Sequence, residues 1–150
     1  MVDQIILASK SGVRKEILRK NRINCIVKPS NIDEDTIKKS LLKEGASPEI
    51  ISKNLAELKA NKVSQKMLGE LVLGADSVID LKGKIVSKPT DRNEALQILQ
   101  DLNGQTHCLI SSACISKNGS MIWNYTDKAS LTMKQMSEEM LKIYLAKISD

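Results

Sequence analysis

Phenylalanine is absent from the chain, and Trp123, Tyr125 and Tyr144 are its only aromatic residues. So few rings make a stacking platform for single-stranded nucleic acid hard to build. Cysteine is scarce too. Cys25, Cys108 and Cys114 are odd in number and form no Cys-x-x-Cys pair or Cys/His cluster, which disfavours a disulfide framework and a zinc site. The one histidine, His107, opens a strand, and a packed or hydrogen-bonded role suits it better than catalysis. Ser9 and Ser11 have no histidine partner in sequence, so a serine hydrolase is a poor reading. No apolar run is long enough to span a bilayer. The first ten residues lack the charged start and apolar stretch of a secretory leader. The expectation is a reduced, cytoplasmic protein with no membrane partner.

What is present suits one soluble domain with a core: 150 residues, 41% of them hydrophobic and 27% charged. The net charge is +5, but the lysines are spread along the chain rather than clustered. Small polyanionic substrates account for that balance as well as nucleic acid does, and no nucleic-acid partner is expected.

Residues 71–89, LVLGADSVIDLKGKIVSKP, organise the rest. Leu71 to Leu73 and Val78-Ile79 read as a strand buried on both faces. Asp76 inside it must be paired, hydrogen-bonded or metal-bound, unless it merely caps a turn at a strand end. Upstream, residues 4–8 read as a strand running into Ser9-Lys10-Ser11-Gly12 and a helix over residues 13–20. Ser11 is the N-cap candidate. Lys10, Arg14 and Lys15 crowd the first turn, against the helix dipole. A bound anion there would reverse that sign; a solvated basic surface is the plainer reading. A second strand over residues 23–27 ends at Pro29.

The acids Asp33, Glu34 and Asp35 either start a helix over residues 36–43, with Asp33 or Asp35 capping it, or turn one carboxylate inward toward a hard cation. Ser47 and Pro48 start another helix, whose predicted buried stripe is Ile51, Leu55 and Leu58. Lys59 lies at the edge of that stripe, placed either to extend over the core into a cleft or to stay in solvent. A helix from Thr90-Asp91, a hairpin of residues 106–116 and 120–133 around Asn118-Gly119, and a helix over residues 137–147 complete the chain. The second hairpin strand alternates Met121, Trp123, Tyr125, Ala129, Leu131 and Met133, which predicts one apolar face. The class is α/β. One or two carboxylates among several cations suit cleavage of a phosphoanhydride with a divalent metal better than acyl transfer.

Residues 6–18, ILASKSGVRKEIL, resemble the opening motif of the Maf family of nucleoside triphosphate pyrophosphatases. Gly74-Ala75-Asp76-Ser77-Val78 with Lys88-Pro89 resembles its central motif. Asp33-Glu34, residues 55–60 (LAELKA) and residues 102–107 (LNGQTH) match further patterns in the same order, so the resemblance covers essentially the whole chain as a single domain. It implies a fold like that of inosine triphosphate pyrophosphatases: a twisted mixed sheet flanked by helices, with two lobes around a cleft. It implies hydrolysis of a nucleoside triphosphate, or a modified nucleotide, to the monophosphate and pyrophosphate, assisted by Mg²⁺ or Mn²⁺. Asp76 takes the catalytic position and, with Glu34, the metal position. Ser9, Arg14, Lys15, Lys59 and Lys88 fall where the family binds phosphates, and Ser11 belongs to the same helix start. Val13 and Ser77 occupy specificity positions. Val13 leans away from the branch acting on dTTP and UTP, and Ser77 decides nothing between that branch and the one acting on 7-methyl-GTP. A homodimer is implied as well. The family usually continues past this chain's last residue. That shortness leaves a second expectation, a nucleotide-binding or regulatory protein linked to septum formation rather than an enzyme.

Overall fold

Among the described residues, five capped helices and six strands follow one another, in the order that the pattern predicts but for one added short strand over residues 84–86. The computed structural model describes residues 4–148, so part of the leader stretch considered above, and Ser149 and Asp150, lie outside the described residues. The elements are β1 (Ile5–Leu7), α1 (Gly12–Lys20), β2 (Cys25–Val27), α2 (Glu34–Lys43), α3 (Pro48–Ser64), β3 (Val72–Leu81), β4 (Lys84–Val86), α4 (Arg92–Leu102), β5 (Thr106–Lys117), β6 (Ser120–Thr132) and α5 (Glu138–Ala146). Each helix begins on a short polar side chain that accepts a backbone N–H three residues on: Ser11 from Arg14, Asp33 from Thr36, Ser47 from Ile50, Asp91 from Glu94 and Ser137 from Met140. Both tight hairpins turn on two residues of positive φ, Lys82-Gly83 and Asn118-Gly119, the geometry that matches the strands' twist.

The strands form one mixed sheet in the order β2-β1-β3-β5-β6, with β4 also on β3. β1 is parallel to β2 and β3; the remaining pairs are antiparallel. Right-handed crossovers explain the layering. The connection from β1 to β2 runs one way along the sheet and that from β2 to β3 runs the other, so α1 lies on one face and α3 on the opposite one. The order reverses between β1 and β3, and a crevice opens at such a switch point beyond the strands' carboxyl ends.

A gap in the sheet sits at the same place. β5 pairs with β3 over residues 72–80 and takes one edge of it. β1 pairs with Val72 and Leu73 and β4 with residues 79–81, both necessarily on the other edge. Among the described residues, residues 74–78 therefore have no strand neighbour on that side, and Asp76 lies at the middle of the gap.

The core lies between α3 and the sheet. Ile6, Ala8, Ala56, Ala60, Val63, Val72 and Cys114 form one cluster, and Ile51, Leu55, Val78 and Ile110 a second. Burial raises the Cys114 thiol to about 11, with Glu57 adding to the shift, so that sulfur is inert at neutral pH. Gly74 lets α3 approach β3 closely. A Cβ there would collide with the Ala56 carbonyl oxygen and stand 2.7 Å from the Ala60 nitrogen.

Three expectations are corrected. β3 is buried on one face only: Val72, Gly74, Asp76 and Val78 face α3, while the alternate residues are partly exposed. Leu58 is exposed, and the buried stripe of α3 follows the i, i+4 series Ile51, Leu55, Lys59, Val63, so Lys59 sits within the stripe instead of at its edge. The alternation along β6 is broken by a bulge. Ile115 pairs with Trp123 but Ser116 with Met121, so the extra residue Ile122 turns Met121 toward the core and Trp123 away from it. Trp123, Tyr125 and Leu131 are exposed on the face opposite α3.

Candidate active site

Lys59 is the hub. It projects from α3 onto β3, almost wholly buried, and its ammonium meets two carboxylates. One is Asp76, with Oδ1 3.3 Å from Nζ; the other is Glu34, from the first turn of α2. The same Nζ donates to the Ala75 carbonyl at 3.2 Å. Asp76 is itself buried, 7% exposed, and its Oδ2 has no hydrogen-bond partner among the described residues. Burial pushes the Asp76 carboxyl above the usual carboxylate range; the Lys59 ammonium opposes that shift without cancelling it. Ser52, two turns before Lys59 on α3 and fully buried, donates to the Asp76 carbonyl at 3.1 Å. Sequence reasoning missed it, although a serine inside an apolar stripe is a signal that it has a partner.

The second group is built by α1. Ser9, just past β1, is buried, and its Oγ accepts from the Ser11 backbone N–H at 3.0 Å and from Arg14 Nη1 at 3.3 Å. Ser11 caps the helix, and the first turn contains no acid. Backbone N–H groups, two hydroxyls and a guanidinium thus converge at the start of α1, beside the switch point. A cavity of about 550 Å³ opens between this helix start and the sheet. Ser11, Val13 and Arg14 line one side; Asp76 and Ser77 line the floor. The floor reaches Asp76 through the gap in the sheet, although the Asp76 carboxyl itself lies on the α3 side.

Residues 4–150 match the family described as Maf-like protein. The chain belongs to the Maf family. Among similar proteins, the nucleoside triphosphate pyrophosphatase of Pelagibacter ubique is 71% identical over 150 residues, which cover 100% of this chain and 77% of that one. The 7-methyl-GTP pyrophosphatase of Bartonella quintana is 37% identical over 146 residues, covering 97% of this chain and 73% of that one. The fold is also similar to that of a HAM1 protein from Coxiella burnetii, with a TM-score of 0.52 at 17% identity, covering 87% of this chain and 71% of the other.

Within this Maf chain the structure brings together most of the residues singled out in sequence, in two neighbouring groups. Glu34, Lys59 and Asp76 form the first, and Ser9, Ser11 and Arg14 the second, with Val13 and Ser77 on the cavity between helix and sheet. Two are not brought in. Lys15 and Lys88 are exposed, on α1 and on the loop after β4, and neither pairs with a described residue. Asp33 caps α2 and is thereby excluded as the inward carboxylate; Glu34 is the acid that turns in. No described helix is long and apolar enough to cross a membrane.

The donor set fits a divalent cation. Two carboxylates converge on one ammonium, and a buried carboxylate oxygen is left without a partner among the described residues. Among the described residues no cluster of three His, Cys, Asp or Glu side chains could hold a metal unaided. Few protein ligands and several oxygens from substrate or water is the habit of Mg²⁺ sites.

Proposed function

We propose that this chain is a nucleoside triphosphate pyrophosphatase, a hydrolase acting on acid anhydrides that yields the monophosphate and pyrophosphate. The observation that carries the reading is Asp76: a buried carboxylate with a free oxygen, in a gap of the sheet, next to an anion-binding helix start. The names borne by its relatives support the same reaction class.

In this reading the triphosphate lies against the start of α1. Ser9, Ser11, Arg14 and the free N–H groups of the helix hold its oxygens, and Lys15 and Lys88 close on it from their exposed positions. Asp76 and Glu34 would hold Mg²⁺ or Mn²⁺. When bound, such an ion neutralises phosphate charge and stabilises the leaving pyrophosphate. Asp76 Oδ2 takes a proton from a water molecule as the water oxygen bonds to the α-phosphorus. The bond from that phosphorus to the bridging oxygen breaks, and the electron pair leaves with pyrophosphate. A carboxyl raised by burial is a stronger base than a solvent-exposed aspartate, which favours that proton transfer. Lys59 keeps the two carboxylates together by offsetting their mutual repulsion.

The partner is a free nucleotide, neither nucleic acid nor membrane. The site of action is the cytoplasm, in keeping with three free cysteines. A homodimer belongs to the same proposal and is read by sedimentation. The deciding experiment is pyrophosphate release from a panel of nucleoside triphosphates with Mg²⁺, with Mn²⁺ and with EDTA. Metal-dependent release that Asp76→Asn abolishes is expected. No release from a folded chain that still binds nucleotide would overturn the enzyme and leave the regulatory binder.

A further inference from the structure

The cavity beside α1 contains more than the phosphate-binding helix start needs. Two rows of side chains cross three strands on its floor. Ala75, Ala113 and Tyr125 are register partners in one row, and Ser77, Ser111 and Asp127 in the next. All six line the cavity. The first row places two methyl groups beside a ring, apolar surface and a ring face that a base can meet. Trp123 backs that ring, its centroid 6.4 Å away and its plane tilted by 11°. The second row is polar: Ser77 and Ser111 share a hydrogen bond of 2.9 Å, and Asp127 supplies a carboxylate.

That carboxylate is out of place in a phosphate site. Its Oδ1 accepts the Lys128 backbone N–H, and among the described residues no lysine or arginine pairs with it. It would repel phosphate oxygens, so the triphosphate belongs at the Arg14 end. What a carboxylate with open lone pairs takes is a pair of donors.

We propose that Tyr125 and Asp127 on β6 read the base of the nucleotide, and that the preferred base is guanine-like, with two adjacent N–H donors on its pairing edge. The inference rests on the function proposed above. Guanine presents N1–H beside the exocyclic amino group, and one carboxylate accepts both. Uracil and thymine present a single N–H flanked by carbonyl oxygens, which the carboxylate repels. Adenine and cytosine put a ring acceptor next to their amino group. A methyl group on N7 lies away from the pairing edge and leaves this contact intact. The cavity, at about 550 Å³, is in the range of small-molecule sites.

The test measures kcat/KM for GTP, 7-methyl-GTP, ATP, UTP and dTTP, and in parallel the calorimetric affinity for GMP and UMP, which needs no turnover. The wild type should favour the guanine nucleotides. Asp127→Asn, nearly isosteric and at an exposed position, should lower the GTP-to-UTP ratio of kcat/KM by about tenfold or more through KM rather than kcat, as expected for loss of charge-assisted hydrogen bonds. Tyr125→Leu should weaken all bases together, because stacking is blind to the pairing edge. Turnover with a pyrimidine preference, or an unchanged ratio in Asp127→Asn, would overturn the inference and leave the reaction class standing. If nothing on the panel turns over, the reaction class falls. The GMP-to-UMP affinity ratio in wild type and Asp127→Asn then decides the base-reading inference alone.

Discussion

The burial of Asp76 costs stability at neutral pH, and that cost has a definite pH dependence. Its carboxyl is raised above the ordinary value of 3.8 because burial penalises the charged form more than Lys59 favours it. The folded state therefore holds the proton more tightly than the unfolded chain does. That preference stabilises the fold fully below the ordinary carboxylate value, and the contribution is lost as pH rises through the raised one. For the chain without metal, Asp76→Asn should melt higher than the wild type at neutral pH, and the gap should close on acidification; the variant should also lose turnover. Thermal melts at a series of pH values check this; a variant that melts lower throughout would show that the Lys59 pairing outweighs burial.

At the scale of elements, the contact of α3 with β3 decides whether the site exists. Lys59 reaches Asp76 because the helix lies directly on the strand, and Gly74 permits that approach. Gly74→Ala drives a methyl into the Ala56 and Ala60 backbone, which cannot yield as a flexible side chain would. The cost expected is that of overpacking, about 1–3 kcal/mol. Urea denaturation should show it, with turnover reduced further because the same shift lifts Lys59 from Asp76. An enzyme of unchanged stability and rate would mean that α3 slides without loss.

The elements themselves were legible in the sequence. Ser11 and Ser47 cap as the sequence predicts, Asp33 and Asp91 are each one of two residues offered at a helix start, and the β5–β6 turn falls at Asn118-Gly119, because caps and turns are local chemistry. The membership of the two site groups was legible through motifs. What was not legible is tertiary. The serine at position 52 gains meaning only when the Asp76 carbonyl lies beside it. The exposure of Leu58 and the burial of Lys59 depend on a one-residue rotation of the α3 face, which three apolar positions do not define. The β6 bulge at Ile122 reverses which side chains face the core, and no local signal marks it. Tyr125 was read as part of one strand's apolar alternation and Asp127 was passed over, because the cavity they line is closed by α1, more than a hundred residues away in sequence.

For the whole molecule, the two site groups belong to different layers. Lys59 and Glu34 come from the α3 side, and Ser9 and Arg14 from the α1 side; the gap in β3 joins them. The α1 layer is thin: none of its helical residues is buried, and Val13 and Ile17 are exposed. A nucleotide that touches both layers should tie the weaker one to the core. Ligand binding to the folded state alone adds about 2.7 kcal/mol at a concentration a hundredfold above Kd. In a chain of this length that is a rise in Tm of about 5–10 °C. The rise is expected with a nucleoside triphosphate analogue resistant to hydrolysis plus Mg²⁺, and EDTA should remove most of it. Hydrogen exchange should locate it, slowing amides of α1 more than those of α3, whose inner face is already packed. Slowing confined to α3 would mean that the start of α1 does not hold the phosphates.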